Sequence, residues 1–142
     1  MEQPAASAVN LLIVDDHDGV RAAVRDWVSA SYPGVQTHEA RDAEEALRAA
    51  EHARFDIVLM DIGLPGINGV EATRQLHERM PETKIVMVSV HDSETQRAAS
   101  VAAGAVAFVA KRRMHEGLRA VLDFILDESR ARAAPAGQGH KA

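Results

Sequence analysis

The chain contains no cysteine. Thiol nucleophiles, cysteine-ligated zinc and disulfide frameworks are therefore excluded, and compactness must come from an ordinary apolar core. It also lacks any run of roughly 18 consecutive apolar residues, the length a helix needs to cross a bilayer. The opening residues, Met1 to Val9, carry Glu2 and no basic stretch, so they do not read as a secretory leader and the cytoplasm is the expected location. Positive charge is short too. Lys and Arg number 16 against 21 Asp and Glu, for a net charge of -5, whereas a nucleic-acid surface needs clustered cations. Direct DNA binding and a membrane site are not expected. What is present is a chain of 142 residues, 46% of them hydrophobic, enough for one domain with a substantial core.

The apolar residues come in short blocks. Leu11–Val14, Ile57–Met60, Ile85–Val88 and Val106–Val109 are continuous runs rather than alternations, the pattern of strands covered on both faces of a parallel sheet. Val35–Ala40 is much more polar and suits an edge strand. Between these blocks the period becomes helical. Val20, Val24, Trp27, Val28 and Ser31 fall on one face of a helix closed by Gly34, and Leu118, Val121, Leu122 and Ile125 share the face of another. Asp42 with Glu45, Asn68 with Glu71 and Ser93 with Gln96 each place an N-cap candidate three residues before a Glu or Gln. Gly104 follows Thr95–Ala103 as a C-terminal cap. The order βαβαβαβαβα predicts an α/β fold, a doubly wound parallel sheet with helices on both faces and right-handed crossovers. The domain is expected over 10–130, with 1–9 a disordered N-terminal tail and 131–142 a flexible C-terminal tail.

In such a sheet the ligand site lies at the carboxyl ends of the strands. The first apolar run ends in Asp15-Asp16, the third strand in Asp61, the fourth in Ser89 and the fifth in Lys111. Three carboxylates brought together repel one another unless a cation sits among them. A hard divalent ion, most naturally Mg²⁺, meets that need. Two carboxylates, a metal, a lysine and a hydroxyl suit phosphoryl transfer, where charge is spread over three oxygens. Asp61 is the favoured nucleophile, because it ends the middle strand and a Gly-Leu-Pro-Gly turn follows it. Any one of these residues alone would read equally well as a helix cap.

Four segments match a family. Ile13-Val14-Asp15-Asp16-His17, Leu59 through Gly69, Val86 through Asp92 and Gly104-Ala105 through Phe108-Val109-Ala110-Lys111 resemble the CheY-like receiver domain of bacterial two-component response regulators. The Val-Asp-Asp-His opening and the Ser-Val-His-Asp segment look most like the NarL/FixJ branch. The resemblance covers about Asn10 to Arg130, and its four motifs in this order are specific where one alone is weak. It implies a flavodoxin-like five-stranded sheet of order 2-1-3-4-5. It implies that Asp61 is the phosphoacceptor, supplied by a phosphohistidine on a sensor histidine kinase or phosphotransfer protein. Mg²⁺ would be held by Asp61, the Gly63 carbonyl, and Asp15 and Asp16, one directly and one through water. Lys111 and Ser89 would contact the phosphoryl oxygens. Movement of Ser89 would let Phe108 turn inward and repack helix 4, strand 5 and helix 5. On this reading the chain is a signalling switch with only self-phosphorylation and loss-of-phosphate chemistry, and not an enzyme with a separate substrate.

The chain departs from the family in places. Arg112-Arg113 follow the lysine where Pro, or Asp-Ala in the NarL branch, is usual, so a Lys-Pro cis bond is not available and two extra cations stand by the site. Gly63 has no side chain where many relatives carry one. His91 stands two residues past Ser89, where it would tune the lifetime of an acyl phosphate. The other histidines show no His-x-x-x-His spacing and read as surface residues. Most NarL-type relatives continue into a helix-turn-helix domain, whereas this chain ends at Ala142, so a stand-alone receiver is expected to use its own surface as output. The expected contact is helix 4–strand 5–helix 5, with an outward stripe of Gly117, Ala120 and Phe124 facing a downstream protein or a second copy. Trp27 is assigned to core packing. Two other classes are weighed against the switch. A haloacid-dehalogenase-type hydrolase wants Asp-x-Asp, which Asp61-Ile62-Gly63 lacks. A receiver-like module that is never phosphorylated would not need the intact Asp15, Asp16, Asp61, Ser89 and Lys111 set.

Overall fold

The computed structural model describes residues 8–133. Five strands, β1 (Val9–Val14), β2 (Val35–Ala40), β3 (Ile57–Asp61), β4 (Lys84–Ser89) and β5 (Ala107–Ala110), alternate with five helices. These are α1 (Asp18–Ser31), α2 (Ala43–His52), α3 (Gly69–Arg79), α4 (Glu94–Ala103) and α5 (Met114–Ala133), with one 3-10 turn at Lys111–Arg113 before α5. All neighbouring strands pair in parallel, in the order β2-β1-β3-β4-β5, the expected flavodoxin-like arrangement.

The continuous apolar runs follow from burial on both faces. Leu12, Val14, Val58, Met60, Ile85 and Met87 point to one side, where Ala46 and Leu47 of α2 and Ala72 and Leu76 of α3 cover them. The alternate residues Leu11, Ile13, Ile57, Leu59, Val86 and Val109 meet Val28 of α1 and Leu118, Leu122, Ile125 and Leu126 of α5. Each such side chain contributes about 1.5–3 kcal/mol when fully buried, so the two layers carry most of the fold's stability. All three anticipated N-caps form: Asp42 accepts from the Glu45 N–H at 2.8 Å, Asn68 from Glu71 at 3.0 Å and Ser93 from Gln96 at 3.2 Å. Gly104 ends α4 with φ of 113°, a backbone shape that disfavours other residues.

The structure moves several expected boundaries. Val9 belongs to β1, not to an N-terminal tail: it pairs with Val35 and packs against the core. α5 runs to Ala133, past the expected limit of 130, consistent with the helix-favouring Ala and Arg residues there. The remainder of both expected tails, 1–7 and 134–142, lies outside the described residues. β5 spans Ala107–Ala110 rather than Val106–Val109, and Val106 stands exposed before it. α1 closes on Tyr32, whose N–H reaches the Val28 carbonyl, ahead of the Pro33-Gly34 turn. Of the five residues expected on its inner face only Val28 is fully buried. Val24 and Trp27 pack against the core half-buried, and with Val20 they line an open groove of about 490 Å³ against the start of α5, facing Lys111, Arg113, Met114 and His115. There the Trp27 ring lies 5.5 Å from His115 and 5.9 Å, edge-on, from Tyr32.

Candidate functional site

Strand register assembles the site. Val14 pairs with Met60, which places Asp15 level with Asp61 at the ends of adjacent strands. Asp61 pairs with Val88, so Ser89 is one step beyond it, and Ser89 pairs with Ala110, so Lys111 is one step further. Strands lie about 4.8 Å apart, and the four side chains therefore converge on the carboxyl edge of the sheet. Asp15, Asp61 and Ser89 are 5%, 6% and 3% exposed. The Lys111 ammonium sits 3.1 Å from Asp15 Oδ2 and 3.4 Å from Asp61 Oδ2. Asp16 is more open and joins the group with His17 above it. One potential ligand atom from each of Asp15, Asp16, His17 and Asp61 lies within 4.8 Å of all the others.

The loop after β3 is held by its own backbone. Ile62 and Leu64 are buried anchors, and the Gly63 N–H donates to Asp61 Oδ1 at 3.1 Å. At the start of α3, Gly69 touches the Asp61 peptide so closely that a Cβ there would stand 2.3 Å from the Asp61 carbonyl oxygen. On the β1 side, the His17 N–H donates to Asp15 Oδ1 at 2.8 Å, and the Arg21 guanidinium donates to the Asp15 carbonyl at 2.8 Å. Arg21 is fixed in turn by Asp18 and Glu39.

Charge and burial oppose one another here. Burial pushes the Asp61 carboxyl above its ordinary range; the Lys111 charge and the Gly63 N–H pull it down without fully offsetting that, and Asp15 pushes it up again. For Lys111, burial alone would lower the pKa, but its hydrogen bond to Asp15 and the charges of Asp61 and Asp15 outweigh it and hold the ammonium above its usual value. One ammonium thus faces two carboxylates, with the more open Asp16 beside them, in a small, partly dry space. A donor set of closely spaced carboxylate oxygens with surplus negative charge suits a hard divalent cation.

Most of the expected residues converge. Asp15, Asp16, Asp61, Ser89 and Lys111 do so as read, with Gly63 beside them. Phe108 is half-buried next to β4, with the Arg97 guanidinium 4.6 Å above its ring. His91 is exposed, and what it contributes is its backbone N–H, donated to Ser89 Oγ at 3.1 Å. Ala120 and Phe124 face outward. Gly117 is half-buried on the border of the same groove as Ala120, and it turns toward β5, where a Cβ would meet Val109 Cγ1 at 2.7 Å. Trp27, expected in core packing, does pack half-buried against the core and also lines the groove beside Lys111. His17, Arg21, Gly69 and Gln96 were missed. His17 is marked in the sequence by the adjacent acidic pair, Gly69 by the segment Leu59 to Gly69 and Gln96 only as a capping partner of Ser93, while the contacts of Arg21 and of the Gln96 side chain with the site follow from tertiary packing.

Comparison with known proteins agrees with this geometry. The family model described as the response regulator receiver domain matches residues 11–123. The chain is 38% identical over 104 residues to the response regulator GacA of Pseudomonas viridiflava, covering 72% of this chain and 48% of that protein. It is 33% identical over 110 residues to the transcriptional regulatory protein DegU of Brevibacillus brevis, covering 78% and 47%. It thus spans about half the length of these curated relatives. A solved two-component response regulator of the LuxR family from Aurantimonas sp. SI85-9A1 superposes with a TM-score of 0.73 at 32% identity, covering 82% of this chain and 86% of that one. With the sheet order, the acidic edge and the family match all falling on the same residues, the chain belongs to the response regulator receiver domain family.

Proposed function

We propose that this chain is a phosphorylation switch in which Asp61 takes a phosphoryl group from a phosphohistidine on a sensor histidine kinase or phosphotransfer protein. The observation that carries the reading is Lys111, half-buried beside Asp15 and Asp61 with its ammonium within hydrogen-bonding reach of both. In the transfer an Asp61 carboxylate oxygen attacks phosphorus, the new O–P bond forms, the P–N bond breaks, and the imidazole leaves and takes up a proton. The product is an acyl phosphate, which water later cleaves to restore the carboxylate. Lys111 and Ser89 meet the phosphoryl oxygens as donors. Asp15, Asp16 and Asp61, with the Gly63 carbonyl, would hold Mg²⁺, which when bound supplies positive charge opposite those oxygens. His91 flanks the route of the hydrolytic water and tunes the lifetime of the phosphorylated state.

The output runs through α4, β5 and α5, next to Ser89 and Phe108. Phe124 is 67% exposed beside an open groove of about 420 Å³ bordered by Val106, Ala120 and Val121, a setting in which an aromatic ring anchors a partner or a second copy. Arg112 and Arg113 border the same face and favour an acidic partner. Incubation with acetyl phosphate or phosphoramidate and Mg²⁺ tests the chemistry. We expect base-labile phosphate on Asp61, loss of it in Asp61→Asn, and impairment in Lys111→Ala with the fold retained. Label persisting in Asp61→Asn refutes the acceptor. Turnover of a simple phosphate ester would move the protein to the phosphatases.

A further inference from the structure

The N-cap pattern of α4 is incomplete in a way that bears on the switch. Ser93 caps the helix by accepting from the Gln96 N–H, and in a full capping box the Gln96 side chain would return to the Ser93 backbone N–H. Its contact lies elsewhere: Ser89 Oγ donates to Gln96 Oε1 at 3.0 Å. The same hydroxyl accepts from the His91 N–H at 3.1 Å. A serine hydroxyl has one proton and two acceptor sites, so in this state its only proton is committed to Gln96. The oxygens of an aspartyl phosphate are acceptors, and Ser89 can meet them only by donating that proton. The bond to Gln96 and the bond to a phosphoryl oxygen therefore exclude one another.

The neighbouring residue grips the second moving part. Arg97 lies 4.6 Å over the Phe108 ring and is anchored by Asp92 at 2.6 and 2.8 Å. One turn of α4 thus touches both side chains whose movement the switch requires. We propose that Gln96 is a positioning residue that sets the threshold of activation, holding Ser89 in its unphosphorylated orientation until the phosphoryl group outcompetes it. The inference rests on the phosphoryl reading of the site and goes beyond it. A ligand's apparent affinity falls by the fraction of molecules in the competent state, so the strength of the Gln96 bond tunes how readily the protein is switched on.

Beryllium fluoride with Mg²⁺, a stable mimic of the aspartyl phosphate, is the probe. Gln96→Leu keeps most of the bulk of the side chain and removes the acceptor. It should raise the apparent affinity for the mimic about five-fold, the value of one ordinary net hydrogen bond. In the resting protein the amide resonances of His91 and Ala110 should move part of the way toward their positions in the loaded wild type, a population shift that a purely structural role would not produce. Gln96→Glu offers a charged, stronger acceptor and should weaken the mimic instead. If both variants bind beryllium fluoride as the wild type does and their resting amides stay in place, the latch is wrong. If the wild type itself takes up no beryllium fluoride in Mg²⁺, the phosphoryl reading fails first and the latch with it.

Discussion

Asp61 is held in surroundings that suit its chemistry better than its stability. Burial raises its pKa despite Lys111, so the fold prefers this carboxyl protonated; that preference contributes below the ordinary carboxylate range and is lost as the pH rises. At neutral pH, without metal, the ionised group weighs against folding. Asp61→Asn should therefore raise the unfolding free energy by about 1 kcal/mol in chelator while abolishing phosphate uptake. Thermal unfolding of the two proteins decides, and a lower midpoint for the variant would mean that the Lys111 pair dominates. Tyr32, the only tyrosine in the chain, offers a second measurement. Burial first, and then the hydrogen bond it donates to Asp123 at 2.7 Å, push its phenol up to about 12 from 10.0. The neutral phenol therefore supports the fold up to about pH 10, and that support is lost between there and about pH 12. Its phenolate absorbance should titrate near 12 and move down in Asp123→Asn. Single residues were legible in the sequence where a strand ended on them, as with Asp15, Asp61, Ser89 and Lys111. Gln96 and Arg21 were not, because each reaches the site across a gap that only tertiary packing closes.

At the scale of elements, α3 begins against Asp61, the proposed phosphoacceptor. Asn68 caps the helix and Gly69 rests on the Asp61 peptide, its own N–H bonded to the Ile62 carbonyl at 3.0 Å. Since a Cβ at Gly69 would collide with backbone rather than with a yielding side chain, Gly69→Ala must push the helix and the Asp61 loop apart. We expect a loss of about 1–3 kcal/mol of stability together with slower phosphorylation, measured by denaturant unfolding and by acetyl phosphate labelling. An unchanged labelling rate would mean that the loop holds its shape without α3. Caps and buried strands were predictable because local chemistry determines them. The face of α1 was less so: periodicity marks which residues are apolar, but whether they end in a core or a groove depends on how closely α5 approaches. Gly117 misled for the same reason, since a helical wheel carries no distance to the sheet.

For the whole molecule, the charge imbalance at one end should make stability respond to metal. An ion that binds only the folded state adds about 2.7 kcal/mol at a hundred times its dissociation constant, of the order of 10 °C in midpoint for a small domain. Mg²⁺ should thus raise the midpoint of the wild type and do so much less in Asp15→Asn; equal shifts would place the ion elsewhere. Layering was readable from the alternation of patterns and strand order only from the family resemblance, whereas the two ends of the sheet proved unlike one another. β2 forms one border with Gln36, His38 and Glu39 exposed along it. Glu39 is clamped there by Arg21 and Arg25. The other border, β5, is only four residues long. Open strand borders are where chains template one another into aggregates, and charge or brevity blunts that growth. One border is guarded by fixed ions and the other offers too little ladder to copy, so this sheet can stay open at both sides, as its topology demands, without seeding fibrils.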